Sequence, residues 1–399
     1  MSTRAEAAAP PGPASPIRLL QTTAFVSTLD RFAMPPLLVA IAADMGAPLS
    51  SVVQAAGVYF LVYGLSQPFW GVVSDRLGRV RTMRLTLLLA GVCTIASALT
   101  GSPAALGAAR GLAGGFFGAA YPATLIYLGD TVPAAVRQRD IARLMVGVAL
   151  GTALASVGAG ALADVASWRV TFVITGVASL ALAWALHRLP EPVQEQRAPS
   201  PLQSLALIGR SRIGLLVLCF AFTEGAVLLG ALTFLPPAIE SVGASAALAG
   251  AVTGIYGVSV LISSWAVGRL SQTWHPSRLI GGGAVAGAVA CALMAISQQP
   301  VMGGVAVVLV GVAWTSMHSS LQTWATEVLP GARAVMVSFF AGLLFVGSAV
   351  CAVAVAGPAA AGDYTAVYAA LAVLALPLGL AAAWARARWQ RPAAPTSLG

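Results

Sequence analysis

The chain has 399 residues, 58% of them hydrophobic and only 9% charged, with a formal net charge of +9 and a mean hydropathy of +0.86. Soluble domains carry about a quarter charged residues, so this chain has too little polar surface to stay dissolved, and its basic residues sit in short loops rather than on a nucleic-acid-binding face. No Gly-x-x-x-x-Gly-Lys loop, nucleophile–base pair or metal-ligand cluster is visible, which excludes ATP as a driver and argues against an enzyme, a metal site or any cofactor.

Residues 1–16 are rich in Ala and Pro and read as a disordered tail. They do not form a signal peptide, because the apolar run that follows is too long and lacks a clear cleavage site. Twelve apolar stretches then follow, each long enough to cross a bilayer core: Ile17–Ala43, Ser50–Val73, Thr82–Thr100, Ala104–Gly129, Ile141–Leu162, Trp168–Leu186, Gly214–Ile239, Ala246–Leu270, Arg278–Ser297, Val301–Ala325, Ala332–Ala356 and Tyr364–Ala385. Period-two alternation is absent, so the spans are predicted as helices and not as a barrel. Residues 188–212 hold Pro190, Pro192, Pro199 and Pro201 and several charges. This is the longest internal polar segment, and it divides a bundle at 17–187 from one at 213–386, with a tail at 387–399. Cys93, Cys219, Cys291 and Cys351 each lie inside an apolar run and are expected to pack as small apolar groups.

Arginine supplies all of the basic charge. It clusters in alternate loops (Arg76 to Arg84, Arg137 to Arg143, Arg188 to Arg212, Arg269, Arg278, Arg333), whereas the opposite loops hold Arg169 with Asp44, Asp164, Glu240 and Asp363. The positive-inside bias predicts that both termini are cytoplasmic.

The two halves are similar to each other. One constant, ungapped shift pairs Gly46 with Gly243, Gly57 with Gly254, Tyr59 with Tyr256, Gly71 with Gly268, Gly107 with Gly304, Gly114 with Gly311, Asp130 with Glu327 and Pro133 with Pro330. Composition bias can supply glycine matches, but it does not hold Tyr, an acid and Pro in one register. Two parallel six-helix repeats imply a pseudo-two-fold axis along the membrane normal, with a pathway between the halves.

Ionisable residues inside spans are costly and usually functional. Asp30 and Arg31 lie near the middle of the first span, Arg110 in the fourth and Glu224 in the seventh. Neighbours on a helix point about 100° apart, so Arg31 need not be the partner of Asp30. These four are the candidate proton-coupling residues, and structural ion pairing is their other reading. In the tenth span Trp314, His318 and Gln322 recur at helical spacing. With Phe117 and Tyr121 they are candidate lining of an aromatic pocket, joined by Tyr59, Tyr63 and Tyr256.

The segment GVVSDRLGRVR from Gly71 to Arg81 resembles the signature of the major facilitator superfamily, Gly-x-x-x-Asp-Arg-x-Gly-Arg followed by basic residues. Gly71, Asp75, Arg76, Gly78 and Arg79 match, and Arg81 supplies a basic position. Gln67 and Pro68 resemble the twelve-helix drug:proton antiporters within that superfamily. The resemblance implies an all-α transporter of two pseudo-symmetric bundles. It also implies a gate in which Asp75 faces the start of the eleventh helix and Arg79 pairs with Asp130. By the same resemblance, Arg110 in RGLAG matches a motif linked to proton coupling and could hold Asp30 until protonation releases it. Gly71 should let a neighbouring helix approach closely. Two departures stand out: Gln272 replaces the acid in the second-half copy, and the fifth-span antiporter motif is reduced to ASVGAGAL (155–162), with Ser156 where the family has Pro.

The sequence therefore predicts a monomeric secondary transporter in the bacterial cytoplasmic membrane, with a small-molecule substrate, protons and the lipid bilayer as its partners. The first reading is proton-coupled efflux of amphipathic or cationic compounds. The alternative is a metabolite transporter or uniporter for sugars, amino acids or organic anions, which the eroded fifth-span motif and the two in-span arginines favour.

Overall fold

The computed structural model describes residues 16–192 and 201–390. Residues 1–15 of the expected N-terminal tail, 193–200 of the expected linker and the last nine of the C-terminal tail fall outside that range. Twelve helices are long and apolar enough to cross a membrane, at the places the sequence predicts: α1 (Ile17–Met45), α2 (Leu49–Leu77), α3 (Arg79–Ala98), α4 (Pro103–Thr131), α5 (Ala134–Val165), α6 (Trp168–Arg188), α7 (Arg212–Glu240), α8 (Ala246–Leu270), α9 (Pro276–Ile296), α10 (Pro300–Val328), α11 (Arg333–Ala354) and α12 (Tyr364–Arg388). This is an integral membrane protein. No strand occurs among the described residues. An even number of spans returns the chain to its starting side, so both described ends lie on one face, called here the terminal face.

Local chemistry sets the breaks. Pro35 and Pro36 turn α1 into a short 3₁₀ segment, Pro35–Leu37, because proline lacks the N–H that an α-helical turn needs. Ser102, Ser167, Ser211 and Ser245 each accept a backbone N–H at the start of α4, α6, α7 and α8. Gly78, at φ +105°, makes the tight turn from α2 into α3, a conformation that side chains with a Cβ rarely adopt. The polar segment expected to act as a linker contains a helix of its own, Pro201–Arg210. Two helices carry a π turn, Gly225–Leu229 in α7 and Trp314–His318 in α10.

The internal repeat is visible in the packing. A Cβ on Gly114 of α4 would stand 2.5 Å from the Tyr59 carbonyl oxygen of α2. Its repeat mate, Gly311 of α10, presses in the same way on Ser259 of α8. The halves meet along two seams, α2 against α11 and α5 against α8. At the first, a Cβ on Gly64 would overlap the carbonyl oxygen of Gly342. At the second, Gly160 lies on the backbone of Ala246, and Gly250 on that of Ser156. The eroded antiporter motif of the fifth span is thus the α5 side of a seam where only small residues fit. The Asp164 carboxylate at the end of α5 accepts the Ala247 N–H at 2.9 Å, placing a negative charge on the first turn of α8, where the helix dipole favours it.

The α5–α8 contacts lie toward the face opposite the termini, and the Gly64–Gly342 contact lies at mid-depth. Toward the terminal face the seams part: a Cβ on Gly71 of α2 or Gly268 of α8 would meet nothing within 4 Å. The close approach expected at Gly71 is therefore absent in this conformation.

Replacing Gly250 with Val should wedge α5 from α8. With spin labels at Ala47 and Ala244, the label-to-label distance measured by pulsed electron resonance should lengthen relative to the parent chain, and an unchanged distance would show that the seam tolerates the added bulk.

Candidate functional site

A buried ion pair and a buried carboxylate–imidazole contact occupy matching helix pairs. In the first half, Asp30 (α1) and Arg110 (α4) have fully buried side chains and form a bidentate pair, with Arg110 Nη1 to Asp30 Oδ1 at 3.0 Å and Nη2 to Oδ2 at 2.9 Å. Thr94 of α3 and Thr175 of α6 donate to the same Oδ1 at 3.3 and 3.4 Å. The Arg110 guanidinium lies between the rings of Tyr59 and Phe172, 4.4 and 4.7 Å from their centroids. Four helices of one bundle thus converge on a single carboxylate. Tyr59, expected to line a pocket, instead packs on Arg110, and Phe117 is fully buried.

In the second half, Glu224 (α7) is fully buried and its Oε2 lies 3.2 Å from His318 Nδ1 (α10). Its Oε1 has no hydrogen-bond partner among the described residues. Glu224 immediately precedes one π turn and His318 closes the other. A π turn rotates the side chains beyond it relative to a regular helix and often occurs at functional sites. Trp314 stacks on His318 at 4.0 Å between centroids, and the Phe340 ring of α11 lies 5.6 Å from it. Gln322 is exposed, and Tyr121 points its hydroxyl at Met145 Sδ.

Arg31 stands apart from both pairs. The helical turn that sends Asp30 into the first bundle sends Arg31 to the seam. Its Nη1 donates to the Tyr63 hydroxyl at 3.0 Å and its Nη2 to Thr28 Oγ1 at 3.3 Å, while Nε is buried without a partner. The rings of Phe32, Tyr63 and, from the other half, Phe345 lie 5.1 to 5.4 Å from the guanidinium. Tyr256 of α8 faces Phe32 at 6.4 Å. Among the described residues no carboxylate pairs with Arg31. Its buried guanidinium is therefore bounded by aromatic rings from both halves.

A model of the Major Facilitator Superfamily matches residues 22–352, most of the chain. The chain belongs to that superfamily. It is a transporter and not an enzyme. It is 25% identical over 361 residues to the 4-hydroxybenzoate transporter PcaK of Pseudomonas aeruginosa, covering 80% of each chain. With the gallate transporter of Pseudomonas putida it shares 23% identity over 328 residues, 73% of each. Among solved structures, the nucleoside transporter NupG superposes with a TM-score of 0.76 over 94% of this chain and 100% of that one, at 16% identity.

The superfamily's gate motif lies on the terminal face. Arg79 holds Asp130 of α4 at 3.2 Å, the pair that the resemblance implies, and it also holds Asp75 at 2.5 Å. Asp75 makes no ion pair or hydrogen bond with α11 among the described residues, in keeping with the parted seam. Arg76 and Arg81 are exposed. Sequence reasoning missed Glu191, just after α6, whose two carboxylate oxygens accept the N–H groups of Val80 and Arg81 at 3.0 and 3.1 Å. Its signal was an acid flanked by two prolines at the end of a span. In the second half Glu327, the repeat mate of Asp130, binds Arg386 of α12 at 3.0 Å, so the two halves secure this acid from different helices.

Removing one partner of a buried pair strands the other charge, at a cost of about 3–5 kcal/mol. Arg110→Ala should therefore lower the thermal unfolding midpoint in detergent sharply. Adding Asp30→Asn should recover part of the loss, since the amide needs no counter-charge; a double variant no more stable than Arg110→Ala alone would argue against charge matching as the cause.

Proposed function

We propose that this transporter carries small aromatic carboxylic acids across the bacterial cytoplasmic membrane by alternating access, driven by protons. The observation that carries the reading is Arg31, a buried cation at the seam with no carboxylate partner among the described residues and with aromatic rings from both halves around it. An aromatic acid supplies both complements: a carboxylate for the guanidinium and a ring for Tyr63, Phe345 and Tyr256. Relatives whose names specify 4-hydroxybenzoate and gallate support this class, which falls under the organic-anion alternative raised from the sequence.

Arginine placement supports a cytoplasmic terminal face. The parted seam at Gly71 and Gly268 then makes this conformation open to the cytoplasm. The gate would close when the seam at Gly71 does, bringing Asp75 to the start of α11. Glu224 and His318 supply the proton site: a buried carboxylate with one free oxygen, hydrogen-bonded to an imidazole. Asp30 and Arg110 brace the first bundle beside Arg31, and release of that pair by protonation is the second coupling route. An imported anion moves against an inside-negative potential, and protons taken up with it offset that charge.

Efflux of cationic compounds remains a second reading on one observation: the free Glu224 oxygen could receive a cation. Proteoliposomes separate the two. With an inward proton gradient, the parent chain should accumulate labelled 4-hydroxybenzoate; Arg31→Ala should abolish this, and Arg31→Lys should keep a fraction. Glu224→Gln should remove gradient-driven accumulation yet leave exchange of substrate for substrate. If Arg31→Ala transports at the parent rate, or the parent moves a cationic dye and no aromatic acid, the proposal fails.

A further inference from the structure

Outside the pathway, the outer surface between α3 and α6 carries a groove of about 420 Å³. Arg81 and Arg84 line its end at the terminal face. Leu85, Leu88 and Leu180 line the deeper part, and Trp184 forms a wall. The surroundings place it against lipid: Leu88, Val92, Val177 and Trp184 are 48 to 64% exposed along the two helices. Side chains this apolar, exposed in rows on membrane-spanning helices, face acyl chains, and tryptophan favours the level where headgroups begin. Leu88 lies one helical turn, about 6 Å, below Arg84. The groove therefore has a cationic mouth at headgroup depth and an apolar floor at chain depth.

Among the described residues no carboxylate forms an ion pair with the arginines at the mouth. Arg84 Nε donates to the Ala183 carbonyl of α6 at 3.3 Å, which fixes the guanidinium across the groove and leaves both Nη groups without a protein partner among the described residues. Arg81 makes no ion pair among them, and Arg188 stacks on Trp184 at 5.5 Å. The Glu191 carboxylate is engaged by the backbone at the start of α3. Asp75 and Asp130 are held by Arg79.

We propose that this groove binds an anionic phospholipid, its phosphate between Arg81 and Arg84 and one acyl chain along Leu85, Leu88 and Leu180. Three cations with no carboxylate ion pair among the described residues favour a lipid with net negative charge over a zwitterionic one, whose ammonium they would repel. The apolar floor separates a lipid from a free phosphate, which would gain nothing from the leucines. Because Arg81 belongs to the gate segment and its N–H is tied to Glu191, lipid charge would bear directly on the turn between α2 and α3. The site lies outside the pathway and does not depend on which solute is carried.

Native mass spectrometry of the full-length protein, titrated with phosphatidylglycerol, phosphatidylcholine or soluble glycerol 3-phosphate, tests this. Phosphatidylglycerol should be retained at least several-fold better than the other two. Arg81→Gln with Arg84→Gln should lower that retention about thirtyfold, each arginine being worth about a factor of five near an anionic headgroup. Arg269→Gln, a comparable surface arginine in the other half, should leave it unchanged. Leu88→Trp fills the groove while keeping both arginines and should also displace the lipid, so the test survives if the double variant does not fold. Equal retention of both lipids, retention unaffected by either groove variant, or equally tight binding of glycerol 3-phosphate would overturn the proposal.

Discussion

A charge removed from water must be matched by another charge, by hydrogen bonds or by a ligand, and in a lipid-embedded bundle that requirement organises the rest. Asp30 and Arg110 match one another with bidentate geometry and two threonines in support. Glu224 is half-matched, one oxygen on His318 and one free. Arg31 has hydroxyls and ring faces but no anion among the described residues. The degree of matching sorts these residues by role. In the function proposed above, the satisfied pair braces one bundle, the half-satisfied pair is the proton site, and the unsatisfied cation takes the anionic solute.

The same logic explains why α1 carries an acid and a base side by side. The residues are neighbours in sequence, but the 100° step of the helix sends one into the first bundle and the other to the seam. Around Arg31 the aromatic rings come from α1, α2 and α11, so the surface around this cation depends on both halves being in register. The seam itself is built from residues without bulk, Gly64 against Gly342 and Gly160 against Gly250. Contacts that close and can part again suit a protein that must alternate between faces.

The fold could be read almost entirely from the sequence. Twelve apolar stretches each need an internally hydrogen-bonded span, and lipid permits no other open solution. The repeat followed from residues that packing preserves in both halves, as Gly114 and Gly311 show. Asp30, Arg31, Arg110 and Glu224 also stood out, because charges inside apolar runs are rare. The sequence could not foresee that Tyr59 packs on Arg110, and the close contact expected at Gly71 is lacking in this conformation. The helix at Pro201–Arg210, Glu191 at the gate and the π turns at both members of the Glu224–His318 pair gave no periodic signal and went unread.

By itself, then, the sequence determined the membrane as solvent, the helical spans, the two-fold repeat and which charges lie in the middle of spans, since each of these follows from composition and local spacing. Only the tertiary structure decided which charge faces which. Asp30 meets Arg110, Glu224 meets His318 and Arg31 meets no acid among the described residues, because partners eighty or more residues apart are brought together by helix packing, which no local pattern encodes.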